Sequence, residues 1–259
     1  MKLTRPLREA YRTDGFVFFP GLLAPQEVAV LVAASSELQQ RDGPEIRRGD
    51  GGEPQIVYAP HAFSEAFGLV MRLPRILGVV EQLLGERAYV YQSRINLKLP
   101  FTGDAWSWHQ DFPAWHRGDG MPRPHAVMTA IFLHECNVAN GPLLVIPRSQ
   151  REDLAEILGR EENVQGYKVQ RVATHTLRAL AETGGITDLR GPAGSVAFIH
   201  PTLMHGSAPN LTPWPRSIYY INFNAVTNRT ERNQRAWYMN NTDATPVDTV
   251  RDDALSAAH

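Results

Sequence analysis

The stretch AYVYQSRINLKLP, residues 88–100, marks the point at which helical patterning gives way to strand patterning. One set of alternate positions is mostly apolar: Tyr91, Ser93, Ile95, Leu97 and Leu99. The intervening set is polar: Gln92, Arg94, Asn96 and Lys98. A two-residue period is that of a β-strand, whose successive side chains point to opposite faces. The stretch therefore predicts a strand with one apolar and one polar face.

Four later segments have the same character, because they are rich in β-branched and aromatic residues and are bounded by Gly or Pro. They are HAVMTAIFLHEC (125–136), GPLLVIP (141–147), GSVAFIH (194–200) and RSIYYINFNAV (216–226). Two segments before residue 88 have apolar residues near helical spacing instead: LAPQEVAVLVAASSELQQ (23–40) and MRLPRILGVVEQLLGE (71–86). Helices followed by a run of strands favour an α+β class that is mainly β.

A single domain of 259 residues accommodates this order of elements. We expect a helical flank at 1–87, a strand core at 88–226 and a C-terminal tail at 227–259. Within them, 41–54 is rich in Gly and charge and predicts a loop, and 150–185 predicts a helical or irregular insertion. One of these two segments, with 150–185 favoured, is predicted to close over a bound substrate as a lid.

Composition excludes several classes of protein. The chain has 26 Lys and Arg against 27 Asp and Glu without a block of like charge, so no nucleic-acid partner is expected. Its apolar runs are far shorter than the roughly 20 residues that a membrane helix needs, so no membrane partner is expected. The single cysteine, Cys136, excludes an intrachain disulfide and favours a reducing cytoplasm, with a buried structural thiol preferred over a nucleophile.

The segment WSWHQDFPAWHRGDGMP (106–122) concentrates tryptophan, histidine and aspartate. If it is extended, His109 and Asp111 point to the same face, where their nitrogen and oxygen atoms could bind one metal ion. Two histidines and one carboxylate leave about three coordination positions open, as in non-haem Fe(II) oxygenases. A His-x-Asp pair alone is more typical of a surface ion pair, so the hypothesis needs a third ligand.

The segment IHPTLMHGSAPNLTPWPRS (199–217) offers that ligand. His205 is favoured, because Arg216 opens a strand eleven residues later and a guanidinium can bind the far carboxylate of 2-oxoglutarate bidentately. His200 is the rival ligand, with packing as its alternative role. The remaining histidines have no such partners in the sequence and are expected to be structural or exposed: His61, His116, His125, His134 and His175.

Four separated blocks resemble the phytanoyl-CoA dioxygenase superfamily: QSRINLK, WHQDFPAWHRGDGMP, NGPLLVIPRS and HGSAPNLTPWPRS. Within it, the sequence is most similar to the branch of ectoine hydroxylases and free-amino-acid hydroxylases. The resemblance covers most of 88–226, with support from YRTDGFVFFPGLLAPQEV near the N-terminus. It implies a double-stranded β-helix (jelly-roll) core with flanking N-terminal helices, together with Fe(II), 2-oxoglutarate and O₂.

The resemblance also implies residue roles. The iron ligands would be His109, Asp111 and His205. The residues around 2-oxoglutarate would be Arg216 on its distal carboxylate, assisted by Ser207, Asn96 and Trp106. The predicted substrate pocket comprises Gln92, Arg94, Trp115 and Tyr220. Two plainer interpretations stay open, namely that the polar side chains of 92–98 face water and that Trp115 only packs.

These inferences predict an Fe(II)/2-oxoglutarate-dependent dioxygenase that hydroxylates a small polar metabolite, a free amino or imino acid first. Ectoine and a carrier-bound or other natural-product substrate are alternatives, and a non-catalytic jelly-roll binding protein is the alternative from another class. Ectoine is disfavoured at two places. Ectoine hydroxylases tend to have Ser, Glu and Thr where this chain has Gln110, Pro113 and Ala114, and they favour Phe where it has Ile199 and Tyr220. The expected partner is a small molecule, and the expected assembly is a monomer or homodimer.

Overall fold

The computed structural model describes residues 1–150, 158–164 and 167–257, with backbone alone for 158–164 and 167–171. Its strands are β1 (Phe16–Phe19), β2 (Ile46–Arg48), β3 (Pro54–Tyr58), β4 (Ala88–Lys98), β5 (Trp106–His109), β6 (Ala126–Phe132), β7 (Leu143–Val145), β8 (Leu158–Val164), β9 (Tyr167–Val172), β10 (Thr187–Leu189), β11 (Val196–Ile199), β12 (His205–Ser207) and β13 (Arg216–Ala225). Its helices are α1 (Arg5–Asp14), α2 (Pro25–Gln39), α3 (Pro60–Phe63), α4 (Glu65–Val70), α5 (Leu77–Leu84), α6 (Phe112–Asp119), α7 (Thr174–Gly184) and α8 (Ala254–Ala257).

Two antiparallel sheets form the core. Seven strands pair in the order β1-β11-β6-β13-β4-β3-β2, and four pair in the order β10-β7-β12-β5. Strands β8 and β9 pair only with each other in the described part of the chain. The predicted class, mainly β with a jelly-roll core and N-terminal helices, is confirmed.

The alternation of side chains along β6 shows how the larger sheet separates two apolar layers. Val127 and Ile131 belong to the layer shared with the helices, which includes Leu31 of α2 and Phe67 of α4. Met128, Ala130 and Phe132 belong to the layer between the two sheets. Both faces of this sheet are therefore covered, and all eleven residues of β4 are buried.

Three expectations from the sequence were wrong. The segment 41–54 is not all loop, because it contains β2 and the first residue of β3. The flank at 1–87 is not only helical, since β1 extends the larger sheet at one edge and β2 and β3 extend it at the other. The insertion at 150–185 is helical at α7, as expected, but its residues 158–164 and 167–172 form the paired strands β8 and β9. Strands β1, β2 and β3 have five residues or fewer, which is too short for a clear alternation.

The insertion meets the smaller sheet near the N-terminal end of α6, because β9 runs beside β5 and α6. The parts of the predicted lid at 151–157 and 165–166 lie outside the described residues. Among the helices that are described, none is both long and apolar enough to cross a membrane.

Candidate active site

Three buried side chains meet where β5 and β12 pair. His109 and His205 are direct partners in the register of these strands, and their ring centroids lie 4.2 Å apart. Asp111 Oδ1 lies 3.5 Å from His109 Nε2 and 4.0 Å from His205 Nε2. One ligand atom from each residue falls within a span of 4.8 Å, which is compact enough for a single metal ion.

Asp111 reaches this cluster through a turn and not through an extended strand. Strand β5 ends at His109, and Asp111 has helical dihedral angles (φ −78°, ψ −42°) as the residue that precedes α6. The turn is fixed by Gln110, whose Nε2 donates to Thr202 O at 2.5 Å, and by Phe112 N, which donates to Pro201 O at 3.0 Å. The predicted convergence is therefore observed, but the predicted extended geometry was wrong.

Hydrogen bonds to backbone carbonyls orient both imidazoles. His109 Nδ1 lies 2.7 Å from Ser107 O, and His205 Nδ1 lies 2.9 Å from Leu203 O. A carbonyl oxygen can only accept, so Nδ1 carries the proton in each ring and Nε2 presents its lone pair to the cluster. Burial lowers the pKa of His205 to about 4, which keeps this ring neutral. Neutral imidazoles are what a metal ion requires.

The carboxylate of Asp111 completes a donor set that fits Fe(II). Burial alone would raise the pKa of Asp111, but the adjacent His109 and the charge of Arg94 outweigh it and hold the pKa below its ordinary value. Asp111 Oδ2 is buried and makes no hydrogen bond to the described residues. A buried anionic oxygen without a hydrogen bond is costly unless a cation compensates it. Arg94 Nη2 lies 3.7 Å from Oδ2, and Oδ1 faces the two imidazoles, where a metal ion would fit.

The rival ligand, His200, lies outside the cluster. Its Nδ1 is 2.8 Å from Thr202 Oγ1, and its ring centroid is 6.2 Å from that of Tyr11. Burial lowers the pKa of His200 to about 4. The structure thus gives His200 the packing role that the sequence left open.

A cavity of about 370 Å³ opens beside the cluster. The residues predicted around 2-oxoglutarate all line it: Asn96, Trp106, Ser207 and Arg216. Three of the four predicted substrate residues line it as well: Arg94, Trp115 and Tyr220. The fourth, Gln92, lies behind the wall, where its Oε1 accepts from Arg94 Nη1 at 2.7 Å.

Arg216 lines this cavity and is 2% exposed. Its Nη2 donates to Gly141 O, and its Nε makes no hydrogen bond within the described structure. Asn96 Oδ1 is also buried without a described partner. A buried guanidinium with donor capacity left fits the distal carboxylate of 2-oxoglutarate.

Lys98 pairs with Arg216 in the register of β4 and β13. Its Nζ donates to Asp104 O at 2.6 Å and to Ala208 O. Burial, reinforced by the charge of Arg216, lowers the pKa of Lys98 to about 7.

The polar face of β4 points into the protein and not into water. Arg94 is 7% exposed, and its Nη2 lies 3.7 Å from Asp111 Oδ2. Its Cζ lies 5.3 Å from the centroid of the Tyr220 ring, which is within the range of a cation–π contact. The interpretation of 92–98 as a solvent-exposed face was therefore wrong.

Comparison with known proteins identifies the family. The family model described as phytanoyl-CoA dioxygenase (PhyH) matches residues 11–218. The chain belongs to the phytanoyl-CoA dioxygenase family. It is an Fe(II)- and 2-oxoglutarate-dependent dioxygenase, as the sequence predicted.

This dioxygenase is similar in sequence to two kinds of curated relative. It is 35% identical to the L-proline trans-4-hydroxylase of Streptomyces griseoviridis over 98% of this chain and 100% of that protein. It is 36% identical to the ectoine dioxygenase of Bordetella parapertussis over 85% of this chain and 75% of that protein.

A solved relative has the same fold and holds the expected cofactors. The crystal structure of EctD from S. alaskensis with 2-oxoglutarate and 5-hydroxyectoine matches with a TM-score of 0.85 and 30% identity, over 96% of this chain and 88% of that one. A structure of the same protein with bound Fe matches equally well.

Sequence reasoning missed several residues that line the cavity of this dioxygenase, among them two arginines. Arg117 lies on α6, and Arg235 and Met239 come from the C-terminal tail. The tail has neither strand nor helix patterning near these positions, so the sequence gave no reason to place it beside the core. With them, the cavity lining described here holds four arginines and one carboxylate, that of Asp111.

Proposed function

We propose that this dioxygenase hydroxylates a small free amino or imino acid at an unactivated C–H bond. The observation that carries the proposal is the charge of the cavity, whose lining has four arginines, one of them paired with Asp119, and the single carboxylate of Asp111. Such a lining favours two anionic ligands bound in the same cavity. 2-Oxoglutarate is one of them, and the carboxylate of the substrate would be the other.

The size of the cavity supports a small substrate. Its volume of about 370 Å³ is near the lower end of the roughly 300–1,000 Å³ of small-molecule sites. 2-Oxoglutarate occupies part of this space, so a compact second molecule fits and a long acyl chain does not.

The sequence relatives also support a small amino or imino acid as the substrate. The L-proline trans-4-hydroxylase aligns over 98% of this chain and all of its own length, whereas the Bordetella parapertussis ectoine dioxygenase aligns over 75% of its own. Gln110, Pro113, Ala114 and Tyr220 line the cavity, whereas Ile199 is packed in the core, so four of the five departures from ectoine hydroxylases lie in the cavity wall.

We assign His109, Asp111 and His205 as the side chains that would hold Fe(II). When bound, iron and 2-oxoglutarate activate O₂, so that one oxygen atom enters the substrate and the other enters succinate as CO₂ is released. Arg216 would bind the distal carboxylate of 2-oxoglutarate, with Ser207, Asn96 and Trp106 around the rest of the molecule.

The remaining predicted residues would position the substrate. Arg94 offers a guanidinium to its carboxylate, and Gln92 holds that guanidinium in place. Trp115 offers an aromatic wall, and the Tyr220 hydroxyl stays neutral because burial raises its pKa to about 12. Precise placement and exclusion of water are the contributions that a protein makes to such chemistry.

A turnover screen tests the proposal. Purified protein with Fe(II), 2-oxoglutarate and O₂ is given L-proline, other free amino acids, ectoine and a fatty acyl-CoA, and products are read by mass spectrometry. We expect an amino or imino acid to gain one oxygen atom. Hydroxylation of acyl-CoA alone would refute the substrate class and leave the oxygenase chemistry intact.

Ectoine is the second candidate, because EctD matches this chain with a TM-score of 0.85. Ectoine has a carboxylate on a small ring, so the same cationic cavity suits it. The relative kcat/KM values for ectoine and L-proline decide between the two.

The oligomeric state and the cellular compartment are also proposed. We propose a monomer or homodimer that works in the cytoplasm, where the buried thiol of Cys136 stays reduced. Light scattering of the purified protein measures the assembly.

A further inference from the structure

Arg235 brings the C-terminal tail to the cavity, where it is fixed by an ion pair with Asp119. Its Nε donates to Asp119 Oδ1 at 2.8 Å, and its Nη2 contacts Asp119 Oδ2. Nη2 also donates to Tyr91 Oη at 2.8 Å, and that hydroxyl in turn donates to Asp119 Oδ2. Asp119 is 0% exposed, so this two-point pairing is shielded from water and geometrically defined.

The pair also anchors α6, the helix that links the metal cluster to the cavity wall. Asp111 immediately precedes α6 and Asp119 is its last residue, with Trp115 lining the cavity between them. The backbone oxygen of Asp119 accepts from Arg232 N at 2.9 Å and from Glu231 N at 3.1 Å. The tail therefore holds the C-terminal end of α6 through both side chain and backbone.

Strand register places Arg235 opposite the 2-oxoglutarate end of the cavity. Arg216 pairs with Lys98 and Asn222 pairs with Gln92, six residues further along β4, which corresponds to roughly 20 Å. The carbonyl oxygen of Met239 accepts from Gln92 Nε2 at 2.7 Å and from Arg235 Nη2 at 3.2 Å. Arg235 thus lies beside Gln92.

Arg94 lies between these two ends and contacts Asp111 of the metal cluster. A molecule that binds on the side of the cluster away from Arg216 would therefore contact Arg235.

We propose that Arg235 is a specificity-determining residue that forms the end wall of the substrate compartment, and that Asp119 is the positioning residue that fixes it. The inference rests on the proposed function, because it concerns the substrate of that same site. The distance from the cluster to this wall sets how long a molecule can lie in the compartment and which carbon faces the metal. Shortening Arg235 lengthens the compartment, so larger homologues fit and smaller ones move.

The experiment compares L-proline with L-pipecolic acid, its homologue with one more ring methylene. In Arg235→Ala, we expect the ratio of kcat/KM for L-proline to that for L-pipecolic acid to fall on the order of tenfold, since one methylene in a fitted pocket has about this effect. The amount of hydroxylated L-proline formed per succinate should also fall, because a mobile substrate escapes oxidation. The KM for 2-oxoglutarate should stay within about twofold, since Arg216 lies at the other end.

Three further variants separate positioning from folding. Asp119→Asn keeps the shape of the side chain but removes its charge. Tyr91→Phe removes the hydroxyl that contacts both Asp119 and Arg235. Both variants should lower the amount of product formed per succinate, as Arg235→Ala does. Arg251→Gln is the matched control, because Arg251 pairs with exposed Asp253 in the same tail and does not line the cavity. It should change neither ratio.

The outcomes distinguish this inference from the proposed function. Unchanged selectivity and unchanged product per succinate in a folded Arg235→Ala protein would overturn the inference and leave the function standing. A wild type that hydroxylates no amino or imino acid would overturn the proposed function. Product per succinate is then measured on the accepted substrate, ectoine included, and an unchanged ratio in Arg235→Ala again overturns the role of Arg235.

Discussion

Arg94 Nη2 lies 3.7 Å from Asp111 Oδ2, while Asp111 Oδ1 faces the Nε2 atoms of His109 and His205. One carboxylate therefore connects the metal cluster to the cationic wall of the cavity. Its Oδ1 atom is available to a metal ion. Its Oδ2 atom lies beside the Arg94 guanidinium, which lines the cavity. A substitution at Arg94 is expected to weaken substrate binding more than it weakens metal binding.

The first prediction concerns the metal. Replacing His109, Asp111 or His205 by Ala should abolish stoichiometric Fe(II) binding, because in the proposed site these three side chains are the protein ligands. Iron content of the purified protein after reconstitution measures this, with circular dichroism as a check on folding. His200→Ala is the matched control and should retain its iron, since His200 bonds to Thr202 and lies outside the cluster. Loss of iron from that control would refute the ligand assignment.

The second prediction concerns the cosubstrate. Arg216→Lys retains a positive charge but loses the planar fork of donors, so the Kd for 2-oxoglutarate should rise about tenfold or more. Calorimetric titration of the iron-loaded protein measures the Kd, and iron content should remain at the wild-type level. An unchanged Kd would exclude Arg216 from binding the distal carboxylate.

Long patterned segments and short chemical motifs were predictable from the sequence. Strand β4 was predicted because eleven residues alternate within one strand, and the cluster of His109 and Asp111 because a metal restricts the choice of ligand. Neither inference required knowledge of distant contacts.

The elements that sequence reasoning missed depend on contacts made far along the chain. Strand β12 has three residues, too few for a period, and exists because it pairs with β5 and β7. Arg235 enters the cavity because it pairs with Asp119, which lies 116 residues away along the chain. Such pairings leave no local signal.

The third prediction concerns substrate binding. Arg94→Ala should raise the KM for the amino or imino acid by about tenfold to a hundredfold, because a charge-assisted hydrogen bond contributes on the order of 1.5–3 kcal/mol. Initial rates at saturating 2-oxoglutarate measure this. Since Arg94 also neighbours Asp111, the iron content of the variant is the necessary control. A KM that stays constant in an iron-loaded variant would show that another group binds the substrate carboxylate.

The last prediction concerns the pH dependence of stability, and it tests the burial of Lys98. Burial lowers the pKa of Lys98 from 10.5 to about 7 in the folded protein. Between these values the unfolded chain binds more protons than the folded one, so this group makes the free energy of unfolding rise with pH, by at most about 1.4 kcal/mol per pH unit. Below pH 7 both states are protonated and the contribution is constant.

Lys98→Met removes the titrating group, so wild type should gain stability relative to the variant as pH rises from 7 to 9. Urea unfolding of both proteins at pH 7, 8 and 9 measures the difference, in which the other titrating groups cancel. Lys2→Met, at the exposed N-terminus, is the control and should give a constant difference. Parallel stability curves for wild type and Lys98→Met would mean that Lys98 keeps its ordinary pKa. Its charge would then have to be compensated by more than the two carbonyl groups of Asp104 and Ala208.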